Sequence, residues 1–107
     1  MVDWLRGLDE KARNRCLSQL ARLRTFGHEL RRPAAENLGL GLYELRVKAQ
    51  GLNLRMLYFF HGNRAVVVTQ GFTKQQREVP GSEIQIALDR KAVFEADPAT
   101  HSTPRGI

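Results

Sequence analysis

The sequence predicts an α+β fold, a small antiparallel sheet with an N-terminal amphipathic helix and a C-terminal helix packed against it. Three observations predict it. Apolar residues recur at helical spacing between Asp9 and Phe26, three β-like runs between Leu42 and Phe72 are joined by short glycine turns, and a second helical period follows Pro80.

In the first helix Ala12, Cys16, Leu20 and Leu23 share one face, with Leu8 just ahead, Asp9 as N-cap and Gly27 as the stop. Its other face carries Lys11, Arg13, Arg15, Arg22 and Arg24, which suits either a solvated surface or a binding surface. Pro33 is expected to open a short helical turn through Asn37, and Gly39 and Gly41 mark an irregular lead-in to the first strand. Along Leu42–Lys48 the alternation places Tyr43, Leu45 and Val47 on one face and Glu44, Arg46 and Lys48 on the other. Leu52–His61 and Arg64–Phe72 are more apolar, so both strands are expected to be central or nearly so. Thr73–Val79 reads as a polar, basic loop. Pro80 or Ser82 then opens a last helix with Ile84, Ala87, Leu88 and Phe94 facing inward.

If Gln50-Gly51 is a two-residue hairpin turn, Tyr43 faces Tyr58, Leu45 faces Met56 and Val47 faces Leu54. The apolar sets then coincide, which supports the register. A second turn at Gly62-Asn63 would set Gln70 beside Arg55 and Val68 beside Leu57. The first turn has a chemical consequence: Arg46 and Arg55 become directly opposed. Like charges so placed cost a few tenths to ~1 kcal/mol unless something anionic lies between them. Glu44, on the same face, could partner one of the two. Lys48, Gln70, Lys74 and Arg77 can reach the same end of the sheet, and guanidinium forks match phosphate oxygens bidentately, so a phosphodiester is a fitting guest.

Composition narrows the class. The chain has 107 residues and a formal net charge of +6, from 17 Lys and Arg against 11 Asp and Glu, which favours an anionic partner. Residues 1–95 are expected to form a single domain and 96–107 a flexible tail. One cysteine, Cys16, excludes an internal disulfide, and no histidine has a partner at metal spacing, so neither a metal nor a cofactor is expected. With no apolar run of roughly 18 residues and no apolar segment in Met1–Gly7, a cytoplasmic location is expected, without a membrane partner.

The ordered set Gly-Leu-Tyr-Glu-Leu-Arg at 41–46, Arg-Met-Leu-Tyr-Phe-Phe at 55–60 and Val-Val-Val-Thr-Gln-Gly-Phe-Thr-Lys at 66–74, followed by Pro80, Glu83-Ile84, Ala87 and Arg90, resembles the RelE superfamily of toxins, in its phage-derived HigB-like branch. The resemblance runs from about Leu38 to Phe94. It implies a RelE/ParE-like sheet and the toxin of a type II toxin–antitoxin pair: an endoribonuclease cutting mRNA, usually on the 70S ribosome, and so inhibiting translation. The cognate antitoxin would be a helix-turn-helix protein, and DNA would be met only through the antitoxin complex. In that superfamily the message's own 2′-hydroxyl attacks the adjacent phosphate and leaves a 2′,3′-cyclic phosphate, without a metal.

By the same resemblance Arg46 matches the arginine of the Glu-Leu-Arg strand, Arg55 the arginine opening the next, and Lys74 the first lysine of a Phe-x-Lys-Lys loop; these three are the candidate catalytic residues. Arg90 matches the arginine of an Ala-x-x-Arg in the last helix and joins Lys48, Gln70 and Arg77 as an RNA-binding candidate. The chain departs from the pattern at Gln75, where a second lysine is usual, and at Phe94, where a late tyrosine is common. ParE-type relatives share the architecture and inhibit DNA gyrase without cleavage, and an inactive toxin could serve as a repressor component, so a non-enzymatic binding module is the alternative. Tyr43 and Tyr58 belong to the core by alternation, His61 reads as a turn residue at the far end of the arginine face, and Trp4 as a staple for the N-terminus or part of an antitoxin interface.

Overall fold

Asp9 begins the long first helix as its sequence suggests: its side chain accepts a hydrogen bond from the Ala12 N–H at 2.9 Å, and Glu10–Phe26 (α2) runs until Gly27 turns to φ 53°. The structure, a computed structural model, describes residues 1–62, 65–75 and 78–97. Ahead of α2 lies a short helix, Val2–Gly7 (α1), and a 3-10 turn over Gly27–Glu29 follows it. The sheet is Ala35–Gly39 (β1), Leu42–Ala49 (β2), Leu52–His61 (β3) and Ala65–Thr73 (β4), antiparallel in the order β1-β2-β3-β4, and Gly81–Ala96 (α3) ends the fold. Asn63, Arg77 and the expected tail beyond Asp97 lie outside the described residues. Among the described residues no helix is long and apolar enough to cross a membrane.

Each face of the sheet is covered by a helix, and period-2 alternation decides which residues go where. On one face α2 buries Ala12, Cys16, Leu20 and Leu23 against Leu45, Val47, Leu54, Met56 and Tyr58. On the other, Ala87 and Phe94 of α3 close over Leu42, Leu57, Phe59 and Phe72, with Ile84 and Leu88 packed at the side. Each large side chain so removed from water contributes about 1.5–3 kcal/mol, so the two layers hold the sheet from both sides. The second face is not uniformly apolar, and the polar part of it forms the site.

The first hairpin has the expected register. Gln50 and Gly51 both take positive φ, 53° and 78°, and the pairs Tyr43↔Tyr58, Leu45↔Met56, Arg46↔Arg55 and Val47↔Leu54 follow. The second hairpin does not. His61 pairs with Ala65, and the register shifts again between Leu57 and Tyr58, so Phe72 rather than Gln70 lies opposite Arg55, and Val68 lies opposite Tyr58 rather than Leu57. The residue left over is Thr69, whose hydroxyl donates to the Leu57 carbonyl at 3.1 Å. A bulge inserts one residue without changing the apolar pattern on either side, which is why alternation alone misses it.

Two further expectations fail at the edges. The turn at Pro33 stops at Ala34, and Ala35–Gly39 pairs with β2 as a fourth strand instead of continuing as helix to Asn37. Gly39 and Gly41 accordingly close a β1–β2 hairpin. The β4 strand is an edge, not central; α1 lies against it, with Trp4 pressed on Gly71. A Cβ at position 71 would lie 2.2 Å from Trp4 Cε3. Gly71→Ala should therefore lower unfolding stability by ~1–3 kcal/mol, and adding Trp4→Leu should recover part of that loss in a denaturant titration; strictly additive losses would show that Trp4 is not the obstacle.

Burial also raises two acids on the α2 side: the Cys16 thiol from 9.0 to about 11, and the Tyr58 phenol from 10.0 to about 12, with the neighbouring Tyr43 adding to the second. Both folded values exceed the unfolded ones, so this stabilisation is complete below pH 9 and fades as pH climbs through 11 and 12. The denaturation midpoint should hold level to about pH 9 and then fall, and Cys16→Ala should flatten the segment between 9 and 11; an unchanged slope in that variant would remove the thiol as the cause.

Candidate functional site

The cross-strand pair Arg46↔Arg55 is present, and the anion between the two arginines belongs to the protein. Glu44, two residues before Arg46 on the α3 side of the sheet, has a side chain only 1% exposed. Its Oε1 accepts from Arg46 Nε at 2.8 Å, and its Oε2 lies 3.6 Å from both Arg55 Nε and Lys74 Nζ. Three cations from three stretches of chain therefore converge on one carboxylate. Lys74 arrives because Thr73 pairs with Leu54 and the Lys74 N–H then donates to the Asn53 carbonyl at 2.7 Å, carrying the chain just past the end of β4.

A second layer lies on β1. Glu36, directly across from Glu44, accepts hydrogen bonds from Arg46 and from Arg32 through its two oxygens. Four cations against two carboxylates leave a positive surplus at this end of the sheet. The Arg32 hydrogen bond, aided by the charges of Arg46 and Lys74, holds the Glu36 carboxyl below the usual range. Arg46 and Arg55 respond oppositely to the same neighbour. The hydrogen bond to Glu44 raises Arg46, whereas burial lowers Arg55, with the charge of Arg46 adding to the drop and Glu44 resisting it. Both guanidiniums stay charged. The difference is one of attachment: Arg55 donates through Nη1 to its neighbour's Leu54 carbonyl at 2.9 Å, but its Nε and Glu44 Oε2 are buried without a hydrogen-bond partner.

The other candidates scatter. Lys48 is two residues beyond Arg46, opposite Asn53 and exposed. Gln70 lies across from Leu57, not beside Arg55, and its amide donates to the Glu83 carbonyl at 2.6 Å, fastening β4 to the start of α3. Arg90 donates to the Thr69 carbonyl at 2.6 Å and so satisfies the bulge. Arg77 lies outside the described residues. Phe94 is buried against Phe59, with ring centroids 5.6 Å apart, and its other ring neighbour is His61 at 5.1 Å. Position 94 is thus part of the core, as are Tyr58 and, half-buried, Tyr43, whose rings stack at 5.4 Å. Gln75 is exposed. Sequence reasoning missed Glu36 and Arg32 because their place depends on β1, and it underestimated Glu44, a candidate partner for one arginine that meets both and a lysine.

Chemically the cluster is a preorganised cation set held by a sealed carboxylate. Removing one partner from such a buried set leaves charges uncompensated and typically costs ~3–5 kcal/mol. Glu44→Gln should destabilise the protein by about 3 kcal/mol, and inorganic phosphate should return part of the loss by entering between Arg46, Arg55 and Lys74. A variant as stable as the wild type in chemical denaturation would show that Glu44 does not hold the three cations.

A search of the curated proteins finds no match to this chain. A family model does: the one described as phage-derived protein Gp49-like (DUF891) matches residues 3–92, a span that takes in most of α1, all of α2 and the four strands and most of α3, and the chain belongs to that family.

Proposed function

We propose that the protein is the toxin of a type II toxin–antitoxin pair and that it cleaves mRNA, on ribosomes, at the Arg46–Arg55–Lys74 cluster. The observation that carries the reading is the convergence of these three cations on Glu44 at one end of the sheet, with positive charge left over. Membership of a phage-derived family and the resemblance to RelE-type toxins in the same strands support it.

In the reaction the 2′-oxygen of the message forms a bond to the adjacent phosphorus as the bond to the 5′-oxygen breaks, leaving a 2′,3′-cyclic phosphate. Water takes the 2′ proton, and the Lys74 ammonium supplies one to the departing oxygen. Arg55 and Arg46 offset the charge that builds on the pentavalent phosphate, a preorganised effect that can supply ~3–4 kcal/mol per donor. Glu44 is too deeply sealed to touch the substrate; its task is to keep three like charges within reach of one phosphate while the site is empty. A helix-turn-helix antitoxin with an acidic segment would neutralise the site by covering it.

The ends of messages in a translation extract test this. Wild-type protein should generate new 3′ ends bearing 2′,3′-cyclic phosphate, and Arg55→Ala should reduce their yield about 100-fold or more. Intact messages together with blocked translation or altered DNA supercoiling would sink the nuclease assignment in favour of a gyrase-directed or purely binding role, and equal cleavage by both proteins would sink the site.

A further inference from the structure

The β1 strand begins at Ala35, opposite Leu45, so the edge of β2 beyond Arg46 has no partner strand among the described residues. Arg46 marks where the pairing ends. Its N–H donates to the Ala34 carbonyl at 2.8 Å, and its carbonyl accepts from Gln19 of α2 at 2.9 Å. Strand alternation aims the Lys48 N–H, two residues on, at the same open edge. Here α2 replaces β1 as the neighbour. Lys11, Arg15 and Gln19 are four residues apart in turn, and so lie on the side of α2 that meets this edge.

A cavity of about 420 Å³ lies at that junction, lined by Lys11, Asn14, Arg15, Lys48, Ala49 and Gln50. Three cationic residues from two elements line it, Lys48 from the open edge of β2, and no carboxylate residue does. None of the three forms an ion pair among the described residues, in contrast to Arg46, Arg55 and Lys74. Asp9 does not line it; its carboxylate caps α2 and faces the Gln50 amide. Like charges gathered around an open cavity without a counter-charge make a site that an anion stabilises.

We propose that this cavity is a second phosphate subsite for single-stranded RNA, holding the phosphodiester next to the one at Arg46 and Arg55. The inference rests on the RNA reading above and extends it. Two residues of strand separate Lys48 from Arg46 by about 6.6 Å, a spacing similar to that of consecutive phosphates on an unstacked strand. Lys11, Arg15 and Lys48 supply the charge, and Asn14 and the Lys48 N–H supply neutral donors. The message then runs along the seam between α2 and β2 before reaching the cluster on Glu44, and Gln19, bonded to the Arg46 carbonyl, forms the wall between the two phosphate positions.

A fluorescein-labelled 2′-O-methyl oligoribonucleotide, which lacks the attacking hydroxyl, reads binding apart from cleavage. Its affinity is followed by anisotropy from low to high salt for the wild type and for Lys11→Gln/Arg15→Gln/Lys48→Gln, whose changed side chains are exposed, with circular dichroism to confirm that the variant folds. Loss of three phosphate-facing cations should reduce the magnitude of the log–log salt slope by about 2 and weaken low-salt binding about 10-fold or more. An unchanged slope overturns the subsite. So does RNA binding that survives the triple substitution while an oligo-glutamate peptide loses its own, since the cavity would then serve an acidic protein segment. A lowered slope in a protein that cuts no message upholds the subsite and removes the nuclease; cleavage with an unchanged slope removes the subsite alone.

Discussion

An ionised carboxylate cannot be left unpaired in a protein interior, and neither can two guanidiniums be left facing each other across a hairpin. Glu44 and the pair Arg46 and Arg55 solve each other's problem, and much else follows from that solution. Glu44 can be buried because Arg46, Arg55 and Lys74 surround it. Arg46 and Arg55 can be opposed because Glu44 lies between them, so the Gln50-Gly51 turn keeps the register that also aligns Leu45 with Met56 and Val47 with Leu54. A one-residue slip would turn all of these to the wrong faces at once.

The legible parts of the fold are those in which two independent signals agree. The first hairpin could be read because turn chemistry and apolar alternation demand the same pairing, and α2 because its cap, its period and its glycine stop coincide. The β3–β4 register could not, because pairing already begins one residue late, at His61 with Ala65, and a bulge at Thr69 adds a second offset while leaving the alternation intact on each side. The β1 strand escaped because Ala34-Ala35-Glu36-Asn37 after a proline has helical composition, and a short edge strand owes its conformation to its neighbour rather than to its own residues.

The same division applies to the site. Arg46, Arg55 and Lys74 were accessible from alternation, a two-residue turn and the end of β4. Glu36 and Arg32 were not, because they join only through the unforeseen strand. Gln70 and Arg90 show the converse: the expected register offered the first as an RNA contact and the resemblance the second, yet each is tied to a backbone carbonyl, Gln70 to Glu83 and Arg90 to Thr69. Polar side chains near a bulge have backbone groups to satisfy, and that demand competes with any ligand.

The distances around Glu44 also divide the three cations by role. Arg46 is held by a hydrogen bond of 2.8 Å to Glu44 and by another to Glu36, so two carboxylates fix its guanidinium. Arg55 and Lys74 stand 3.6 Å from Glu44 Oε2, beyond hydrogen-bond range, attracted but not bound. A phosphate entering between them gains new hydrogen bonds without breaking old ones, whereas engaging Arg46 by the same nitrogens would cost existing bonds. The looser pair is therefore the one whose guanidinium and ammonium can turn toward an entering anion at little cost. Arg46 is the anchor that keeps Glu44, and through it the other two, in place.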